Sequence, residues 1–171
     1  MTAEVAPDAI TTASVATLDA LPSLVGAELT GEWFQLAPSD LDRFDEAAHL
    51  TESLPQFEPA GYPDGLIEGF HVLSLLDHLS SPLLRVEERG IVGWNYGLDR
   101  VRFVSPVTLN DPLRMRATVA EVRPKGAGYL VRLECTVEAQ GRDKPAMVAS
   151  WLALWVRDEA DDTDASRSEG L

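Results

Sequence analysis

The stretch Gly65-Leu-Ile-Glu-Gly-Phe-His-Val-Leu-Ser-Leu-Leu-Asp-His-Leu79 decides the reading of this chain. It spaces Leu66, Phe70, Leu73 and Leu76 along one face of a helix of about four turns. Ile67, Val72, Leu75 and Leu79 cover much of the remaining circumference. A helix that is apolar nearly all round is expected to be buried nearly all round, so the rest of the chain must wrap it.

The segments downstream supply the wrapping. Ile91–Val104, Pro112–Val122, Tyr129–Gln140 and Ala146–Val156 read as long strands. Leu113, Met115, Ala117 and Val119 alternate with Arg114, Arg116 and Thr118. Val131, Leu133, Cys135 and Val137 alternate with Arg132, Glu134 and Thr136. This period of two marks a sheet with one buried face. The links Pro124–Gly128 and Gly141–Pro145 are short and turn-like, so these strands should be antiparallel neighbours. The last strand is apolar on both faces, which suits a central position or one beneath a subunit contact. One buried helix and a long antiparallel sheet make an α+β plan.

Upstream, Leu21–Leu36 reads as a lead-in and a short strand carrying Trp33 and Phe34. Pro38-Ser39-Asp40-Leu41-Asp42 has the form of a helix start, with Ser39 as the expected cap. Leu41, Phe44, Ala47 and Ala48 then form an apolar stripe. Thr51–Asp64 holds three prolines and a glycine, and reads as a loop. Residues 1–20 read as a loose arm and residues 158–171 as a disordered acidic tail, with one domain of residues 21–157 between them.

Composition narrows the function. The chain has 171 residues, 14 Lys and Arg against 28 Asp and Glu, and a formal charge of −14. Its overall field repels nucleic acid and anionic membranes. The single Cys135 excludes an internal disulfide and a CxxC zinc set. Apolar runs are too short to cross a bilayer, and the first residues lack the basic and apolar parts of a secretory signal. A cytoplasmic location is the expectation, with no cofactor and no metal. His71 and His78 stand seven residues apart on the helix; a metal pair would prefer a spacing of four and a third ligand.

Several motifs resemble those of the MaoC-like, NodN-like hydratases. Gly69-Phe-His-Val-Leu-Ser-Leu-Leu76 is similar to the family's central-helix motif. Asn95-Tyr-Gly-Leu-Asp-Arg-Val-Arg-Phe-Val-Ser-Pro-Val107 is close to its NYG…RF…PV strand, and Leu109-Asn-Asp111 to its turn before the next strand. The resemblance implies a hot-dog fold, in which a curled antiparallel sheet of about five strands wraps one long helix. It also implies homodimers, or pairing with a related hot-dog chain, and a small acyl substrate linked to coenzyme A or a carrier protein.

Family hydratases use an Asp and, five residues on, a His to orient and deprotonate water and to return a proton to the α-carbon. Here those positions fall at Leu50 and Pro55 counted from Phe44, or at Glu46 and Thr51 counted from Gly69. Neither register gives an Asp/His pair, and the family's His before the helix glycine is Glu68. The candidates to replace the dyad are His49, Asp45 four residues before it, and Glu68, with Glu52 also near. Gly69, His71, Asn95 and Tyr96 are candidate substrate-binding residues. Arg100, Arg102, Arg114, Arg116 and Arg132 are expected on the non-core sheet face, solvated or holding phosphates. The resemblance then implies acid–base chemistry on an unsaturated or β-hydroxy acyl group: dehydration, hydration, isomerisation or the ring closure of a polyketide-like substrate. The alternatives are a non-catalytic subunit beside an active hydratase, and a hot-dog thioesterase.

Overall fold

A computed structural model describes residues 9–50 and 61–158. Nine strands, a 3-10 helix and three α-helices follow in chain order among the described residues. The main sheet has five strands in the order β2-β7-β8-β9-β5. These are β2 (Glu28–Thr30), β5 (Ile91–Phe103), β7 (Leu113–Lys125), β8 (Gly128–Ala139) and β9 (Met147–Arg157), and every pairing is antiparallel.

The four long strands lie within a few residues of the segments that alternation marks out. The turn from β7 to β8 passes through Gly126 at φ 59°, where a left-handed residue is needed. β9 lies between β8 and β5, as its two apolar faces imply. β5 is an edge strand, paired only on its β9 side. Its register slips after Asn95 and again after Leu98, leaving Tyr96 and Asp99 as bulge residues.

The central helix is shorter and less enclosed than its sequence suggests. Gly65 takes φ 67°, and Leu66–Ile67 form β3, paired with β6 (Val107–Thr108). Helix α2 begins only at Gly69 and runs to Ser74; after a break at Leu75, helix α3 spans Leu76–Ser80. The first apolar residues of the run therefore belong to a strand, which an aperiodic apolar pair serves equally well. Val72, Leu76 and Leu79 face the sheet and join a core with Met115, Val119, Leu133, Val137 and Met147. The opposite side, with Phe70 72% exposed, stands open in the single chain.

Residues 1–20 are not a loose arm over their described part. β1 (Ala13–Val15) pairs in parallel with β4 (Leu84–Val86). The 3-10 helix Leu18–Leu24 buries Leu18 and Leu21 completely. An Ala/Thr-rich run without period hides these anchors, because one or two leucines suffice to hold a short segment to a core. Most of the acidic tail and most of the 51–64 loop, with Glu52 and Pro55, lie outside the described residues.

Candidate functional site

Helix α1 (Pro38–Ala47) carries the first site residues. Pro38 occupies its first turn, so the cap is Ala37 rather than Ser39. The Ala37 N–H donates to Asp40 Oδ2 at 2.8 Å, which ties down the entry of the helix. Phe44 and Asp45 follow on its inner side, both half-buried.

These two residues meet the start of α2. The rings of Phe44 and His71 stack with centroids 4.2 Å apart and planes 6° apart. His71 is 5% exposed, and its Nδ1 is buried without a hydrogen-bond partner. Burial pushes the imidazole below its ordinary range, while the carboxylates of Asp45 and Asp40 pull it partly back. Glu68 caps the same helix by position, without a side-chain capping bond. Burial, and then the charge of Asp45, raise the Glu68 carboxyl above the usual carboxylate range. Asp45 is thus the shared neighbour of Glu68 and His71. Both shifts favour the uncharged form of the group, a protonated carboxyl and an unprotonated imidazole.

His49 is placed differently. It was expected on one helix face with Asp45, but α1 ends at Ala47 and His49 turns to φ 57°. Its N–H donates to the Glu46 carbonyl at 3.1 Å, and the residue is exposed. The i, i+4 relation fails because it requires an unbroken helix.

Gly69 lies under β5. A Cβ there would stand 2.9 Å from Phe103 Cδ2, so glycine is what lets the helix start approach the strand. Asn95 Nδ2 donates to Asp77 Oδ2 at 2.6 Å, joining β5 to α3. The Tyr96 ring, 48% exposed, lies under Lys125 Nζ at 4.6 Å from its centroid. His78 packs on Phe34, ring centroids 4.4 Å apart. Sequence reasoning missed Asp77 and Phe44 as site neighbours; Asp77 interrupts an apolar helix just as Glu68 does, and that was the available signal.

Two of the sheet arginines, Arg114 and Arg132, are committed to carboxylates. Arg114 is buried, pairs with Glu138 at 2.7 Å and covers Trp33 at 4.3 Å. Arg132 is shared by Asp99 and Glu121. Among the described residues no group of three His, Cys, Asp or Glu side chains is arranged to hold a metal, and no helix is long and apolar enough to cross a membrane.

No protein-family model matches the chain. Individual relatives do. It is 35% identical over 142 residues to Nodulation protein N of Rhizobium leguminosarum bv. viciae, covering 78% of this chain and 88% of the relative. It is 30% identical over 131 residues to 3-hydroxyacyl-thioester dehydratase Z of Mycobacterium tuberculosis, covering 73% and 85%. The chain belongs to the MaoC-like, NodN-like dehydratase family. Solved structures agree on the fold of this MaoC-like chain. The R-hydratase PhaJ1 of Pseudomonas aeruginosa superposes with a TM-score of 0.58 at 19% identity, covering 78% of this chain and 83% of that one. The MaoC-like dehydratase of Rhodospirillum rubrum gives 0.56 at 16% identity, covering 84% and 98%. The hot-dog fold expected from the motifs is therefore the fold of this MaoC-like protein.

Proposed function

We propose that this chain is a dehydratase, working reversibly as a hydratase, on a β-hydroxyacyl or α,β-unsaturated acyl group carried as a thioester of coenzyme A or a carrier protein. The observation that supports it is the cluster at the helix start, where Asp45 acts on both Glu68 and His71. In the dehydrating direction the neutral imidazole of His71 takes the α-proton. The protonated carboxyl of Glu68 gives its proton to the departing β-hydroxyl, and water leaves. The roles reverse on hydration. Burial keeps the imidazole neutral, and burial together with the charge of Asp45 favours the protonated Glu68 carboxyl. His49, exposed at the end of α1, is a secondary proton carrier. Gly69 and Asn95 border the acyl group, with Tyr96 at its outer edge.

Such chemistry needs the substrate enclosed, and a single chain leaves α2 and β5 open. Trp94, Tyr96, Leu98 and Phe103 are all exposed along this edge strand. A second copy of the chain, or a related hot-dog chain, is proposed to pair there. A second reading follows from the missing Asp/His pair: the chain lends its sheet to an active partner and does no chemistry.

One assay separates the two. Purified protein is given 3-hydroxyacyl-coenzyme A thioesters, and the conjugated enoyl thioester is followed by its absorbance. Turnover by the chain alone supports the enzyme. Turnover only after a related chain with an intact Asp/His pair is added supports the partner.

A further inference from the structure

Glu68 follows directly on β3, a strand of two residues whose ladder partner β6 is just as short. Leu66 stands opposite Thr108 and Ile67 opposite Val107, and the pair belongs to no larger sheet. A ribbon this short does not hold itself in place. The position of Glu68 is therefore set by whatever fixes β6.

A clasp around β6 fixes it. After the strand, Asp111 Oδ2 accepts from the Thr108 N–H at 2.7 Å and hydroxyl at 3.0 Å, and the Asp111 N–H donates back to the Thr108 carbonyl at 2.9 Å. Arg142, in the turn between β8 and β9, reaches both ends of the strand. Its Nε and Nη2 donate to the two carboxylate oxygens of Asp111 at 2.8 and 2.7 Å, and its Nη1 donates to the Pro106 carbonyl at 2.9 Å. A planar guanidinium holds three oxygens at fixed angles, which a flexible ammonium does not. Arg142 is seated in turn by its N–H on the Ala139 carbonyl at 3.1 Å. On the β3 side, the Leu109 N–H donates to the Gly65 carbonyl at 2.9 Å, so the clasped turn also grips the residues before Glu68. Asp111, Ile67 and Val107 are all buried.

We propose that Asp111 and Arg142 are positioning residues for Glu68, setting through β6 and β3 where its carboxyl stands relative to Asp45 and His71. The inference rests on the acid–base reading of the Glu68 cluster. Burial and the charge of Asp45, which favour the protonated carboxyl, both depend on that placement. With the clasp open, β3 and the first turn of α2 shift, the carboxyl gains water, and it gives up its proton at lower pH. Neither clasp residue touches the substrate in this role.

Carbon-13 NMR of the full chain, labelled at its glutamate carboxyls, reads the titration midpoint of Glu68, with Glu68→Gln assigning the signal. Arg142→Ala opens the clasp; Asp111→Asn keeps its shape and removes its charge. Arg157→Ala is the control, since it removes another guanidinium bound to carboxylates, those of Glu88 and Asp19 at the far end of β9. The expected result is a Glu68 midpoint lowered by about half a pH unit or more in Arg142→Ala, less in Asp111→Asn, and unmoved in Arg157→Ala. On a 3-hydroxyacyl thioester, Arg142→Ala should lower kcat about tenfold and change KM less than about twofold. A lower melting temperature with the midpoint unmoved makes the clasp a stabiliser only and overturns the proposal. An equal movement in Arg157→Ala overturns it too, because any loosening of the fold would then suffice. Should Arg142→Ala fail to fold, Asp111→Asn decides by the same signs. The midpoint is read without substrate, so failure of the acid–base reading, seen as full turnover in Glu68→Gln, is a separate result.

Discussion

The imidazole of His71 lies flat on the ring of Phe44, planes 6° apart, with its Nδ1 buried and unpartnered. One aromatic contact thus fixes a titratable ring where water does not reach it. Phe44→Leu keeps an apolar residue but removes the stack. It should cost about 1 kcal/mol of stability, from the lost ring contact and volume. It should also lower turnover more than substrate affinity, since the imidazole loses its fixed plane. Denaturant titration and kcat against KM read the two effects.

The two groups that flank Asp45 predict opposite trends with pH. The folded-state pKa of His71 lies below its unfolded value of 6.5, through burial. The unfolded chain then binds the proton first, so stability falls as pH drops below that value, until the folded imidazole also titrates. Glu68 has a folded pKa above its unfolded value of 4.5, through burial and Asp45. It weakens the fold at neutral pH, and that penalty fades as pH falls through the raised pKa. Glu68→Gln should therefore raise Tm at neutral pH. His71→Asn should flatten the loss of stability on the acid side of neutrality. Thermal unfolding from pH 4 to pH 8 checks both signs.

Asp111 is clasped. It accepts from the Thr108 N–H at 2.7 Å and hydroxyl at 3.0 Å, and from Arg142 Nε at 2.8 Å and Nη2 at 2.7 Å. Burial alone would raise its carboxyl, but the bonds from Thr108 and Arg142 outweigh it and hold the group below its usual range. The stability it adds is present above the unfolded pKa and is lost as pH falls through the folded one. Asp111→Ala should cost about 2–3 kcal/mol at neutral pH, measured by denaturant titration.

Gly69→Ala forces a methyl against Phe103. The clash should outweigh the gain in helix propensity and cost about 1–2 kcal/mol. Phe103→Ala in the same chain should recover most of it, because that ring is half exposed and its removal opens the space. A double-mutant cycle measures the coupling.

Cys135 sits in the core of β8, and burial, then Glu134, push its thiol up to about 12. A thiol reagent at neutral pH should leave it untouched in the folded protein and modify it fully in denaturant.

Sequence alone carried the sheet well. Alternation of Leu133, Cys135 and Val137 with charged neighbours leaves one register, since a one-residue slip would bury Glu134. It carried the helix less well, because Leu66 and Ile67 serve strand or helix equally until a partner strand at Val107–Thr108 is known. The N-terminal pairing of Ala13–Val15 with Leu84–Val86 joins segments about seventy residues apart and has no local signal. At the site, Glu68 was legible as a charge interrupting an apolar helix start, whereas Asp45 was singled out only by its spacing from His49. The stacking of His71 on Phe44 was not, since it depends on how two helices cross. The helix face expected to unite Asp45 with His49 failed at one backbone angle, the left-handed turn of His49.

The central claim is that Glu68 carries the proton in acid–base chemistry on an acyl thioester. The most direct measurement is kcat on a 3-hydroxyacyl thioester for the wild type, Glu68→Gln and His49→Ala, with folding of each checked by thermal melts. The account predicts a loss of about a hundredfold or more for Glu68→Gln, in a protein that melts no lower than the wild type, and a smaller loss for His49→Ala. Unchanged turnover in Glu68→Gln would contradict it.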